Sequence, residues 1–128
     1  MQETRLKVQI KRPISEVFSF AINPKNTPKW VEGIAIEETN EWPVKVGSIY
    51  RSQSKSGKWS EYTVTSLEEN KIFFLTKNDN NLHVKYTFMS ISPVLTELEY
   101  ELVHDGEFKE SFIQGLLDNL KKVMESEL

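Results

Sequence analysis

The chain has 128 residues, of which 27% are charged and 38% hydrophobic, and a formal net charge of -3. This length suits one domain over residues 1–128 with one core, and the charge balance argues against nucleic acid or an anionic membrane as a main partner, since phosphate binding needs concentrated Lys and Arg. There is no cysteine, which excludes disulfides, thiolate catalysis and Cys-based metal sites and suits a reducing, cytoplasmic setting. The opening "MQETRLKVQIKR" is charged and alternating, unlike a signal peptide, and the longest apolar run, "IFFL", is far short of a membrane span.

Residues 4–11, "TRLKVQIK", alternate: Leu6, Val8 and Ile10 share one face and the charged residues the other, as in a half-buried strand. Pro13 ends it. In "ISEVFSFAI", Ile14, Val17, Phe18 and Ala21 recur at helical spacing, and Pro24 stops the helix after about two turns. Such a short helix does not form alone, so it must pack on something larger. "NTPKW" holds one more short turn of helix, with Pro28 near its start. "VEGIAIEETNE" then reads as a strand with Ile34 and Ile36 on one face.

Further strands follow. "SIYRSQSK" and "KWSEYTVTSLEE" flank the hairpin signal Ser56-Gly57. Asn70 precedes "KIFFLTK", and the cluster Asn78 to Asn81 turns the chain into "LHVKYTFMSI", which places Leu82, Val84, Tyr86 and Phe88 on one side. After Ser92-Pro93, "LTELEYELV" sets Leu98, Tyr100 and Leu102 against a wet row of Glu97, Glu99 and Glu101. The period then changes. Phe108, Phe112, Leu116, Leu120 and Met124 recur every four residues, predicting an amphipathic helix over 107–126 with Asp105 as its cap. Segregated strands and helices mean α+β, and an antiparallel sheet with one apolar face needs the long helix as its cover.

The order β-α-α-β6-α, together with "RPISEVFSFAINPKNTPKWVEGI", resembles the START-like (SRPBCC) superfamily, the polyketide cyclase/dehydrase and lipid-transport group that includes the major birch pollen allergen. The matching pieces are "P-x-x-x-V-F-x-F" (Pro13, Val17, Phe18, Phe20), "N-P-x-N-x-P-x-W" (Asn23 to Trp30), "V-G-S" (Val46 to Ser48), "Y-T-V-T" (Tyr62 to Thr65) and the closing helix. The resemblance spans essentially the whole chain. It implies a helix-grip fold, in which a curved, seven-stranded antiparallel sheet wraps the C-terminal helix and two short helices between strands 1 and 2 close one end. Between sheet and helix it implies a cavity that takes an apolar ligand. Relatives often join the last two strands through a Gly-rich turn, whereas this chain has "SISPVLTELEY" with Pro93 and no glycine.

On that reading the ligand-binding wall comprises Trp30, Ile36, Tyr62 and Phe74 from the first part of the chain. Tyr86, Phe88 and Tyr100 follow from the last two strands, and Phe112 and Leu116 from the helix. Trp30 is either a core anchor or part of the cavity mouth. Tyrosines on an inward strand face carry an apolar body and a polar tip, so they either fill the sheet's inner face or orient a ligand. For "SIYRSQ" either face can be inward, and an inward Arg51 would be a buried cation wanting an acidic partner or an anionic ligand group.

Other chemistry finds little support. His83 is expected to face solvent and His104 to sit partly solvated at a strand end, and neither belongs to a cluster of metal-ligand spacing. "SGKWS" is not a phosphate loop, since Ser52 stands where the first glycine of that motif belongs and Trp59 follows Lys58. Glu61 is expected on the wet face. Gly115 interrupts the closing helix, either for close approach to the sheet or for room beside a ligand. No catalytic pair, cofactor site or metal site is apparent. The expected function is binding of a hydrophobic or amphipathic small molecule, lipid- or polyketide-like. A cyclase/dehydrase-type enzyme using the same cavity, or a protein-interaction module, remain as alternatives, and a homodimer is compatible with either. Should most inward rings fill the concavity themselves, the pocket would be small.

Overall fold

The computed structural model describes residues 2–105 and 109–126. In chain order the elements are β1 (Gln2–Ile10), α1 (Ile14–Ile22), α2 (Thr27–Trp30), β2 (Ile34–Thr39), β3 (Ile49–Ser54), β4 (Trp59–Glu68), β5 (Ile72–Lys77), β6 (Leu82–Ser92), β7 (Leu95–His104) and α3 (Glu110–Ser126). The seven strands form one curled antiparallel sheet in the order β1-β7-β6-β5-β4-β3-β2. This is the α+β, helix-grip architecture expected from the order of elements.

Local chemistry explains the elements. Pro13 caps α1 in an extended conformation, and Pro28 occupies the first turn of α2, where its missing N–H costs nothing. Asn70 and Asn80 take φ of 59° and 60° in the turns before β5 and β6, the left-handed region that asparagine tolerates better than most residues. The strict alternation of β7 becomes an alternation of burial, with Thr96, Leu98, Tyr100, Leu102 and His104 inward. The glutamates opposite face out, where Glu99 pairs with Lys7 at 3.8 Å and Glu101 with Arg5 at 3.4 Å.

α3 packs on β1 and on α2. It buries Ile113, Leu116, Leu117, Leu120 and Met124. Its C-terminal half is tied down by polar contacts. Lys121 Nζ donates to Gln9 O at 2.8 Å, Arg12 Nε donates to Met124 O at 2.9 Å, and Glu125 accepts from the Lys11 amide at 2.8 Å. α3 starts at Glu110, three residues later than the expected Glu107: Lys109 is not helical and its carbonyl accepts from the Phe112 and Ile113 amides. Residues 106–108, including Phe108, lie outside the described residues. At Gly115 an added Cβ would meet nothing within 4 Å, so close approach to the sheet does not require that glycine.

The inner face of the sheet carries a continuous cluster of rings around Tyr86. Its centroid lies 5.5 Å from Phe73, 5.3 Å from Tyr100, 6.1 Å from Trp30 and 6.3 Å from Phe88, and Phe88 stacks edge-on to Phe18 at 5.1 Å. Each such pair contributes about 0.5–1.5 kcal/mol beyond the burial of its area.

Candidate functional site

The rings do not fill the concavity. A void of about 310 Å³ remains between the sheet and the N-terminal half of α3. Much of its wall is aliphatic, with Leu75, Val84 and Leu102 from the sheet and Ile113 and Leu116 from the helix. All four tyrosines of the chain also line it: Tyr50, Tyr62, Tyr86 and Tyr100.

The polar end of the void is built by an irregularity in β2. Ile34 pairs with Ser54 and Ile36 with Gln53, so Ala35 is an extra residue on the β2 side. A bulge of this kind shifts every following side chain to the opposite face. Ile34 therefore faces the void, Ile36 is turned outward to 49% exposure, and Glu37 points inward opposite Ser52. Glu37 Oε1 accepts from Thr27 Oγ1 at 2.7 Å and Oε2 accepts from Ser52 Oγ at 2.6 Å. The carboxyl thus joins α2 to β3 across the end of the cavity. Burial raises its pKa above the usual carboxylate value, and the two hydroxyl bonds only partly offset this.

The tyrosines divide into two kinds. Tyr50, 1% exposed, donates from its hydroxyl to Ile22 O at 2.7 Å and so satisfies a carbonyl in the last turn of α1. The hydroxyls of Tyr62, Tyr86 and Tyr100 have no hydrogen-bond partner among the described residues and are available within the void. Burial raises the pKa of all four, and the charge of Glu37 adds to the rise at Tyr50, Tyr62 and Tyr86. They are neutral donors at any working pH. At the rim stand Phe112, 45% exposed, and Lys77, whose Nζ lies 3.6 Å from Asp79.

Of the residues read from the sequence as a ligand wall, Tyr62, Tyr86, Tyr100, Phe112 and Leu116 border the void. Trp30, 1% exposed, and Phe88, 4% exposed, are core rings packed around Tyr86, behind the wall. Two placements need correction. Ile36 is outside because of the bulge. Phe74 lies on the outer face, where its ring meets His83 at 6.3 Å, because β5 turns Phe73 and Leu75 inward. Arg51 also faces out, pairing with Glu38 at 3.2 Å and Glu61 at 3.3 Å and lying over the Trp59 ring, so it is not a buried cation. His104 is 1% exposed rather than solvated, because it faces inward on β7 between Gln2 of β1 and Leu82 of β6. His83 lies half-buried on the outer face, 3.2 Å from Thr76 Oγ1.

Glu37 was not among the expected site residues, since alternation through "IAIEET" assigns it to the wet side. The only sequence cue was that Ala35, Glu37 and Glu38 leave no clean apolar-polar alternation after Ile34. Among the described residues, no three His, Asp or Glu side chains gather as a metal site, and no helix is long and apolar enough to cross a membrane.

Solved structures share this arrangement along nearly its full length. A START superfamily protein from Mycobacterium smegmatis superposes with a TM-score of 0.81 at 12% identity, covering 98% of this chain and 99% of that one. Ara h 8.0201 does so with a TM-score of 0.69 at 12% identity, covering 98% and 99%. The Aha1 dimer from Colwellia psychrerythraea gives 0.72 at 16% identity, covering 98% and 97%. No protein-family model matches the chain, and no curated protein matches it by sequence. The likeness is one of fold.

Proposed function

We propose that this START-like helix-grip chain binds a small amphipathic molecule in the void between the sheet and α3. The observation that carries the reading is the void itself. It has an aliphatic wall, three tyrosine hydroxyls with no partner among the described residues, and the Glu37 carboxyl. Ligand sites commonly have this composition: mostly apolar, with a few convergent polar groups that fix orientation. At about 310 Å³ the void is at the small end of the usual range of about 300–1,000 Å³, so a ligand of one or two rings fits better than a sterol or a long acyl chain. Affinity would come from apolar burial, about 25 cal/mol per Å², less the cost of ordering both partners. The cysteine-free composition suits a cytoplasmic site of action.

A second reading, catalysis on the bound molecule, is favoured by Glu37. A mostly buried carboxyl with a raised pKa, beside neutral hydroxyl donors, is a competent general acid or base.

Native mass spectrometry of freshly purified protein, with identification of any co-purifying molecule, tests the binding reading directly. Fluorescence titration with 1-naphthol provides a second test. Binding should be saturable and should be lost in a Leu116→Trp variant that plugs the void while keeping its melting transition. Unchanged naphthol binding in that variant would place the ligand elsewhere.

A further inference from the structure

Among the described residues, Glu37 is anchored by two hydroxyls. Thr27 and Ser52 each donate one hydrogen bond to it, and among the described residues no Lys, Arg or His forms an ion pair with it. An ionised carboxylate offers about four acceptor positions. Two are used, so capacity remains for a donor from within the cavity. A purely structural tie between α2 and β3 would be served by a neutral amide or hydroxyl, without the cost of desolvating an acid. Tyr50, Tyr62 and Tyr86 line the same void; Tyr50 lies two residues before Ser52 on β3 and pairs with Tyr62 across the sheet. Aromatic faces with a carboxylate are the recurring environment for an organic cation, because the ring quadrupole and the acid both favour positive charge.

We propose that the void selects a protonated amine carried on a compact apolar body, with the ammonium at Glu37 and the body against the aliphatic wall. This specifies the ligand class for the binding reading above and rests on it. The basic side chain on the cavity wall, Lys77, has its own acid, with its Nζ 3.6 Å from Asp79. Outside the cavity, Lys25 and Glu38 border a separate cleft that shares Glu37 as its wall. Glu38 is engaged by Arg51 on the outer face. α3 contributes only apolar side chains, Phe112, Ile113 and Leu116, to the void.

Binding of an ammonium requires the charged form of Glu37. With the acid's pKa raised by burial, protons compete with the ligand at low pH. Affinity should therefore increase as pH rises through the pKa of Glu37, then stay level until the ligand amine itself loses its proton.

The test uses three indoles of similar shape, namely tryptamine, tryptophol and indole-3-propionate, titrated calorimetrically into the full chain at pH 5 and pH 7.5. Tryptamine should bind at least tenfold more tightly than tryptophol at pH 7.5, indole-3-propionate should be weakest, and only tryptamine should weaken at pH 5. Glu37→Gln, which keeps both hydroxyl contacts possible, should bring tryptamine to within about twofold of tryptophol and remove the weakening of tryptamine at pH 5. Equal binding of tryptamine and tryptophol by the wild-type chain would overturn the amine assignment and leave the cavity reading standing. Binding of none of the three would overturn both. The wild-type series stands without the variant, so a Glu37→Gln chain that fails to fold does not protect the proposal.

Discussion

Tyr50 and Tyr100 are both buried tyrosines on the inner face of one sheet, and replacing each with phenylalanine should have opposite consequences. In Tyr50→Phe the ring stays but Ile22 O loses the hydroxyl at 2.7 Å. That carbonyl is in the last turn of α1, beyond the reach of the helix's own amides. Leaving such a buried acceptor unpaired costs about 1–3 kcal/mol. For a chain of 128 residues the unfolding entropy is about 0.27 kcal/mol/K near 60 °C, so ~1 kcal/mol corresponds to ~4 °C in Tm. Tyr50→Phe should therefore melt about 4–11 °C below wild type. Tyr100→Phe removes a hydroxyl with no partner among the described residues, and its effect should stay within about 0.5 kcal/mol, or about 2 °C. Differential scanning calorimetry on both variants, with urea unfolding as a second measure, gives the comparison. Binding should invert the order, with Tyr100→Phe weakening 1-naphthol and Tyr50→Phe leaving it unchanged. If Tyr100→Phe destabilised as much as Tyr50→Phe, its hydroxyl would be engaged within the fold, and the division of the tyrosines into structural and available groups would fail.

Truncation of the helix seam, Leu120→Ala at a residue with 0% exposure, should cost about 2–5 kcal/mol, measured by urea unfolding. Because burial raises all four tyrosine pKa values, absorbance at 295 nm should show less tyrosinate at pH 10 in the folded chain than in the same chain unfolded in urea; equal ionisation in the two states would contradict the enclosed wall. Glu37 has a folded pKa above its unfolded one, so the stability associated with its protonated form is complete below the unfolded value and is lost as pH rises through the folded value. The stability difference between Glu37→Gln and wild type should therefore shift in favour of the variant between pH 4.5 and neutrality, and a pH-independent difference in urea unfolding would contradict a buried acid. Arg51→Ala should change stability by no more than about 1 kcal/mol, because its ion pairs are exposed.

The elements were legible in the sequence where a single periodicity held. β1, β7 and α3 read correctly because one face of each is wet, so the pattern of burial is also a pattern of residue types. The tyrosines of β6 and β7 followed from the same alternation. Legibility failed where burial and residue type part company. In "KIFFLTK" consecutive apolar residues leave the inward set open, and the sheet takes Phe73 and Leu75 rather than Phe74. His104 is polar yet enclosed, since β7 is flanked on both sides by strands that cover its end. Gly33 precedes β2 with φ of 97°, but neither it nor the weak alternation after Ile34 singles out Ala35 as the extra residue. Its effect is nonlocal, fixed by the register against β3.

That one inserted residue also determines the polarity of the site. Without it, Ile36 would face the void where Glu37 now does, and the cavity would be greasy at both ends. With it, a mostly buried acid joins a wall that also holds Leu75, Val84, Ile113 and Leu116, so a bound molecule meets both polar and aliphatic chemistry. The helix has a matching asymmetry. Among the described residues, the polar ties from α3 to the rest of the chain begin at Asn119, whose Nδ2 donates to Trp30 O at 3.4 Å, and continue through Lys121, Met124 and Glu125. The part of α3 that walls the void, around Phe112, Ile113 and Leu116, shows no side-chain hydrogen bond to the sheet among the described residues and buries Ile113 and Leu116. Apolar contact is nondirectional and can be exchanged for contact with a guest, whereas a hydrogen-bonded tie cannot be moved without leaving a polar group unpaired. The division of α3 into a tied half and a packed half thus allows one end of the helix to adapt to a ligand while the other holds the fold.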